Sequence, residues 1–286
     1  MTEETATNDL RVSIEFFPAK TDAGKEKLIK VRSELNALNP DFFSVTYGAG
    51  GSTRDNTYDI VAAMKDEGLS VAPHLSFGGD DEDSMITLLD RYKSIGVDRI
   101  VALRGDMPSG VGGAMHMVQA SELVSFIRKH FGEHFHLEVA AYPEIHPEAT
   151  SYDEDIRFLK MKLDNGANSA ITQYFYNPDA YFYFMDQCLT AGIDKPIYPG
   201  IMPITNYKNL ARFSDGCGAE IPRWVRKRLE AYGDDLESIA AFGFDLVAGL
   251  CETLLDNGAP GIHFYSMNQI NPTSKLIKAL GLDQRK

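Results

Sequence analysis

The chain is short of cysteine, and its cysteines form no framework. Cys188, Cys217 and Cys251 are an odd number with no C-x-x-C pair. They read as reduced thiols in a cytoplasmic protein rather than as a disulfide scaffold. Basic residues are also scarce. Against 41 Asp and Glu stand 28 Lys and Arg, a net charge of −13, which is the wrong sign for a nucleic-acid partner. Long hydrophobic runs are missing too. The most apolar stretch, Ile239 to Leu255, is broken by Asp245 and Glu252 and reads as too short and too polar to span a membrane. Residues 1–10 read as a flexible tail without the basic and apolar segments of a signal peptide. No G-x-S-x-G, P-loop or H-E-x-x-H occurs, and no linker-like stretch divides the chain, so one domain over 1–286 is expected.

What is present is a repeat of helix, glycine and strand. Gly68, Gly96, Gly132, Gly166, Gly192 and Gly258 each precede a short apolar run. Glycine just past a helix end takes the left-handed cap that other residues resist. Asn39-Pro40 does the same work before Phe42. The runs are Val71–His74, Arg99–Leu103, Leu137–Ala141, Ser169–Gln173, Pro196–Gly200 and Gly261–Tyr265. With Val12–Phe16 and Phe42–Thr46 they make eight strands. Helical stripes lie between them, at Leu28, Val31, Leu35 and Leu38, and at Ile86, Leu89, Tyr92 and Ile95. Extra helical matter is expected around Pro222–Tyr232, and a last helix near Pro272–Leu280. Eight β-α units point to a single-domain α/β (β/α)8 TIM barrel, with a doubly wound open sheet as the competitor.

In such a barrel the chemistry sits at the C-terminal ends of the strands. Those ends carry Glu15, Thr46-Tyr47, His74, Arg104-Gly105-Asp106, Tyr142 to His146, Gln173 and Tyr265, with Asn268 just beyond. Glu15 stands out because its neighbours in Val12–Pro18 are almost all apolar. A carboxyl in apolar surroundings is pushed toward its protonated form, ready to act as a proton donor. Tyr47 and Tyr142 can stack on a flat heteroaromatic ring. The loop Gly48-Ala49-Gly50-Gly51 is only half a dinucleotide turn, since Thr53 occupies the third glycine position. Glu144, His146 and Glu148 do not form a convincing metal set between Pro143 and Pro147, so no metal is expected. None of these side chains moves a hydride, so redox chemistry would need a cofactor. The residues alone leave redox chemistry and acid/base lyase or hydrolase chemistry both open.

Several stretches together are more specific. Ile14-Glu-Phe-Phe-Pro18, Val45-Thr-Tyr-Gly-Ala49, Ala72-Pro-His-Leu75 and Val101-Ala-Leu-Arg-Gly-Asp106 are followed by Ala140-Ala-Tyr-Pro-Glu-Ile-His-Pro-Glu-Ala149 and Gly166-Ala-Asn-Ser-Ala-Ile-Thr-Gln173. In this order they closely resemble the bacterial methylenetetrahydrofolate reductases, from about Val12 to Asn268. The resemblance implies an FAD-containing barrel that takes a hydride from NADH or NADPH. It passes that hydride to methylenetetrahydrofolate in a ping-pong sequence, supplying one-carbon units for methionine synthesis. It implies a cytoplasmic homo-oligomer, a dimer or tetramer, with no nucleic-acid or membrane partner.

Glu15 matches the family's general acid and Asp106 the aspartate between flavin and pterin. The positions implied to contact FAD are Thr46, Tyr47, Ala49, His74, Arg104, Gly105, Asp106, Ala120, Tyr142, His146, Ala149, Asp155 and Lys162. Those implied to contact folate or nicotinamide are Asp106, Gln173, Asn209, Phe213 and Gln269. The chain departs from the family at Gln119, which replaces a tyrosine, and at Phe158 and Met161, which replace polar residues. Asn209 replaces a glutamine and Gln269 an arginine. Lys162 is left with more of the phosphate work.

Overall fold

The computed structural model describes residues 10–19, 21–47, 54–77, 81–104 and 119–285. Ala49, Gly105 and Asp106, all expected at the site, lie outside them. Helices and strands alternate from the start: β1 (Arg11–Phe16), α1 (Asp22–Asn36), β2 (Phe42–Val45), α2 (Arg54–Asp66), β3 (Val71–Leu75), α3 (Glu82–Ser94), β4 (Arg99–Ala102) and α4 (Ala120–Phe131). The pattern continues through β5 (His136–Ala141), α5 (Tyr152–Asp164), β6 (Ser169–Thr172), α6 (Pro178–Thr190), β7 (Ile197–Tyr198) and β8 (Gly200–Ile201). Three helices in a row, α7 (Tyr207–Cys217), α8 (Arg223–Tyr232) and α9 (Leu236–Asp256), precede β9 (Gly261–Tyr265) and α10 (Thr273–Ala279).

The strands form one parallel sheet in the order β7-β6-β5-β4-β3-β2-β1-β9-β8. Its two end strands, β7 and β8, are separated only by Pro199, so the sheet closes into an eight-position (β/α)8 barrel. The expected seventh strand, Pro196–Gly200, is thus split. Proline has no N–H to donate to a ladder. Its carbonyl still accepts from the His263 N–H at 3.0 Å. Gly200 lets the split strand press on β6, because a Cβ there would lie 2.1 Å from the Thr172 carbonyl oxygen.

The expected glycine caps all have positive φ, and Asn39 joins them at 54°. The α1 stripe of Leu28, Val31 and Leu35 is buried, with Leu38 beyond it. On α3 the buried face is Met85, Leu88, Leu89 and Tyr92, while Ile86 and Ile95 are only partly covered. The expected stripe is therefore rotated by about one position. Helix α9 is long and apolar enough, by length and composition, to cross a membrane, contrary to the sequence expectation. Its Ile239, Gly243, Val247, Leu250, Cys251 and Leu254 face is buried. At Gly243 a Cβ would come within 2.5 Å of the Ile204 carbonyl oxygen, so glycine permits this close packing. Leu10, assigned to the tail by sequence, packs on the core, and its carbonyl accepts from Arg285.

The register separates two layers. Val12, Ile14 and Phe16 of β1 point outward to the helices and join the main core. Arg11, Ser13 and Glu15 alternate with them and point into the barrel. The same parity carries round the sheet through Ser13↔Phe42, Ser44↔Ala72, His74↔Val101, Val101↔Glu138 and Glu138↔Ser169. Inside, Phe42, Ala72, Val101 and Ile171 form a thin apolar layer. Below it, toward the N-terminal ends, Glu138 is wholly buried. Arg11 binds it at 2.8 and 3.2 Å, Arg99 at 2.5 Å and the Ser169 hydroxyl at 2.5 Å. The Arg11 guanidinium also lies 3.2 Å from the centroid of the Tyr198 ring. Burial pushes the Glu138 carboxyl upward, but the His136 hydrogen bond and the charges of Arg11 and Arg99 outweigh it. The group is held far below the usual carboxylate range.

Glu138→Ala leaves two partly buried guanidinium groups uncompensated and should lower the unfolding free energy by up to about 3–5 kcal/mol in urea titrations at neutral pH. Because the folded-state value is depressed, the stability this carboxylate adds is complete above its ordinary value of 4.5 and is lost as pH falls below it. Acid titration of the variant should lack that component.

Candidate active site

The C-terminal mouth of the barrel contains two cavities with a common wall. The first, about 340 Å³, is bordered by Glu15, His74, Tyr142, Gln173, Tyr174, Phe213, His263 and Tyr265. The second, about 510 Å³, is bordered by Arg104, Ala120, His146, Ala149, Asp155 and Lys162, with Gln119 and Phe158. Leu103, Ala140 and Tyr142 line both. An elongated ligand can therefore run from one to the other.

Glu15 ends β1 with its side chain turned inward by strand parity. The sequence places it among apolar neighbours, but in space its carboxylate meets two imidazoles. His74 Nε2 is 3.3 Å away and His263 Nε2 3.7 Å away. His74 Nε2 is buried and out of line for a hydrogen bond, so the contact is electrostatic. Burial holds His74 below the usual imidazole range, against the pull of Glu15. On the far side, His263 Nδ1 lies 2.7 Å from the Ser13 hydroxyl. The Ser266 hydroxyl donates to the Glu15 carbonyl at 2.6 Å. Asn268 latches the loop above: its amide donates to the Phe17 carbonyl at 2.9 Å and accepts from the Phe17 N–H at 3.0 Å.

Across the first cavity, the Gln173 amide oxygen accepts from the Tyr174 N–H at 3.0 Å. Its NH2 end is the donor left for a ligand. Tyr174 and Ser214 share a 3.0 Å hydrogen bond, and the Cys217 thiol reaches the same Tyr174 hydroxyl at 3.4 Å. Phe213 stands at the rim, 40% exposed.

The second cavity has the chemistry of an anion site. The N-termini of α4 and α5 border it through Gln119, Ala120, Ser121 and Glu154; the Gln119 N–H is taken by the Glu122 carboxylate at 2.6 Å and the Glu154 N–H by the Ser151 hydroxyl at 3.2 Å. Lys162 donates to the Ala140 carbonyl at 2.5 Å. Burial pushes its ammonium down to about 8, while Asp155 pulls the other way. Asp155 accepts from the His146 N–H at 2.8 Å. Burial raises Asp155, and burial followed by Arg104 lowers His146. Arg104 is paired with Glu148. His146 Nδ1 accepts from the Glu148 N–H at 3.0 Å, and Glu144 accepts from the Glu220 N–H at 2.7 Å. Burial drives the Glu144 carboxyl up to about 7.

Of the expected residues, Glu15, His74, Tyr142, Gln173 and Phe213 meet at the first cavity. Arg104, Ala120, Tyr142, His146, Ala149, Asp155 and Lys162 meet at the second. Thr46 and Tyr47 follow β2 outside both walls, with the Thr46 carbonyl accepting from Thr57 at 3.1 Å. Asn209 and Gln269 are exposed and line neither cavity. Sequence reasoning missed Ser13, His263, Tyr174 and Cys217. For the first two the signal is strand parity, since each lies two residues before a named strand end.

A family model described as methylenetetrahydrofolate reductase matches residues 1–281. The 5,10-methylenetetrahydrofolate reductase of Escherichia coli K12 is 38% identical over 274 residues, which is 96% of this chain and 91% of that protein. The Arabidopsis thaliana methylenetetrahydrofolate reductase (NADH) 1 is 34% identical over 284 residues. The match takes in 94% of this chain and 48% of the plant protein, so the chain spans about half of it. Among solved structures, a Clostridium thermocellum protein described as binding two copies of 5-methyl-5,6,7,8-tetrahydrofolic acid superposes with a TM-score of 0.66. The superposition covers 97% of this chain and 94% of that one at 22% identity, a likeness of fold.

A bound anion raises the Lys162 titration, so its attraction is complete below about pH 8 and is lost as pH rises further. The affinity of ADP, used as a pyrophosphate probe, should fall above that point by up to about tenfold per pH unit. Calorimetric titration of Lys162→Gln should show roughly tenfold weaker binding and no such slope.

Proposed function

The chain belongs to the methylenetetrahydrofolate reductase family, and we propose that it reduces methylenetetrahydrofolate to methyltetrahydrofolate with NADH or NADPH in two successive half-reactions. The observation that carries this reading is the position of Glu15. Its carboxyl faces a cavity that shares a wall with a cation-lined groove. A proton donor and a dinucleotide-sized anion site thus adjoin at one mouth.

The donor set fits FAD, which when bound supplies the two-electron carrier between nicotinamide and folate. Lys162, Arg104, His146 and the N-termini of α4 and α5 would hold its pyrophosphate. Ala120, Ala149 and Asp155 would border that arm. His74 and Tyr142 would flank the ring system, and Thr46, Tyr47, Ala49 and Gly105 are assigned to its edges. Phe158 puts an aromatic face where the family has a polar residue, which concentrates the phosphate contacts on Lys162.

Glu15 donates its proton to the nitrogen of the methylene bridge. The carbon–nitrogen bond breaks with its electron pair on that nitrogen, and the carbon is left as an iminium ready for hydride. Asp106 and the Gln173 NH2 are assigned to the pterin, where the amide is a donor. Phe213 covers the bound ring at the rim. Asn209, one turn before Phe213 on α7, and Gln269, beside Met267, are assigned to the polar tail of the substrate. The apolar walls around Leu103, Val139 and Met202 would limit the water beside the reacting carbon.

The purified protein should be yellow, bleach under NADH or NADPH, and recover its colour with methylenetetrahydrofolate. Rapid-mixing absorbance should show that Glu15→Gln still bleaches at near wild-type rate. Its reoxidation by folate should slow on the order of 100- to 10,000-fold. Equal losses in both half-reactions would make Glu15 structural, and a protein that takes up no flavin would overturn the reading.

A further inference from the structure

The Glu15 carboxylate has an open side and a built side. The open side meets the first cavity. On the built side stands His263, with Nε2 3.7 Å from Glu15 Oε2 and Nδ1 2.7 Å from the Ser13 hydroxyl. Ser13 and His263 are sealed from solvent, at 0% and 1% exposure. The register accounts for the arrangement. Ser13 pairs with His263 and Glu15 with Tyr265 across β1 and β9, so the imidazole one layer down reaches up to the carboxylate. The Tyr265 ring packs edge-on against it, 5.1 Å between centroids at 83°, and fixes its plane.

We propose that His263 is a positioning residue for Glu15: anchored by Ser13, it aims an Nε2–H at the carboxylate and stabilises the anion left after proton donation. This rests on the reading of Glu15 as proton donor to the folate nitrogen. In this arrangement the Ser13 hydroxyl would donate to Nδ1 across the 2.7 Å contact, which would leave the ring proton on Nε2. Once Glu15 has given up its proton, the opposite tautomer would set the Nε2 lone pair against the lone pairs of the carboxylate. In the step itself the Glu15 O–H breaks and an N–H forms on the substrate. The electron pair of the broken carbon–nitrogen bond stays on nitrogen, and His263 keeps its proton throughout. At 3.7 Å the contact is electrostatic, and such contacts tighten when substrate binds.

Among the described residues, two other titratable groups face Glu15. His74 comes from β3 at 3.3 Å, its imidazole held below the usual range by burial, against the pull of Glu15. The Tyr265 hydroxyl comes from β9 and donates to the Thr172 carbonyl at 2.7 Å. From β2 comes only the neutral Ser44, the register partner of Glu15. Of the two imidazoles that face Glu15, His263 is the one with a hydrogen-bond partner on its other ring nitrogen.

The test is the pH profile of reoxidation of the reduced holoenzyme by methylenetetrahydrofolate. His263→Leu should slow the plateau about tenfold and move the alkaline limb up by about one pH unit. His263→Gln, which keeps an N–H within reach, should restore the rate to within about threefold. Ser13→Ala should move the limb in the same direction by less. Bleaching by NADH should stay within about twofold in all three. A limb that stays put in His263→Leu, or moves down, overturns the proposal. If wild-type flavin is not reoxidised by folate, or Glu15→Gln reoxidises normally, the proton-donor reading fails first and takes this one with it. The nitrogen-15 spectrum of histidine-labelled wild-type protein decides independently of any variant's folding. An Nε2–H tautomer at His263 supports the proposal, and an Nδ1–H tautomer overturns it.

Discussion

One buried carboxylate, Glu138, holds the floor of the barrel, and the rest of the interior is arranged above it. It collects Arg11 from β1, Arg99 from β4 and Ser169 from β6 onto β5. The guanidinium of Arg11 in turn lies over Tyr198 of β7. Five of the eight barrel positions are thereby tied across the interior rather than along the sheet. A buried charge of this kind adds little net stability over an apolar substitute, but losing one partner is costly. Its consequence here is geometric. It fixes which face of each strand points inward, since a one-residue slip would carry these charges into the apolar layer beneath the helices.

That constraint has a direct effect on function. The parity that sends Arg11 inward also sends Ser13 and Glu15 inward, two and four residues along the same strand. The barrel is therefore layered from ionic floor through a thin apolar disc of Phe42, Ala72, Val101 and Ile171 to a polar mouth. The mouth is not fully satisfied. His74 Nε2 and Ser44 Oγ are buried without hydrogen-bond partners. Unpaired polar atoms of this sort concentrate where a site gives up local stability for chemistry.

The electrostatics are equally local. The chain carries a net charge of −13, yet its second cavity gathers Lys162, Arg104 and His146 beside two helix N-termini. Burial lowers the Lys162 ammonium to about 8, so any attraction of this groove for anions would depend on enclosure as much as on charge count. Arg104, paired with Glu148 at the rim, is the more exposed of the two cations.

Much of this was legible along the chain. Glycine spacing marked the helix ends because only a left-handed cap fits there, and the strand count followed. Glu15, Arg104, His146 and Gln173 were visible as polar groups at or just past strand ends, while Lys162, in the last turn of α5, came only from the family resemblance. The split at Pro199 was not, because a proline reads as a strand end or a bulge until its neighbours on both sides are known. The one-position rotation of the α3 stripe was hidden for a similar reason: helix orientation is set by the sheet beneath it. Asn268 looked like a site residue, but its side chain is occupied by the Phe17 backbone. His263 was passed over because a reading of strand ends alone skips the residue two positions earlier on the same face.

By itself, the sequence determined the alternation of helix and strand and the family to which the chain belongs. These depend on local backbone preferences and on motifs that stay contiguous. Only the tertiary structure decided that Ser13, His263, His74 and Glu15 converge, and that two cavities share the wall of Leu103, Ala140 and Tyr142. Those contacts join residues up to 250 positions apart, and no local pattern encodes a distance that barrel closure creates.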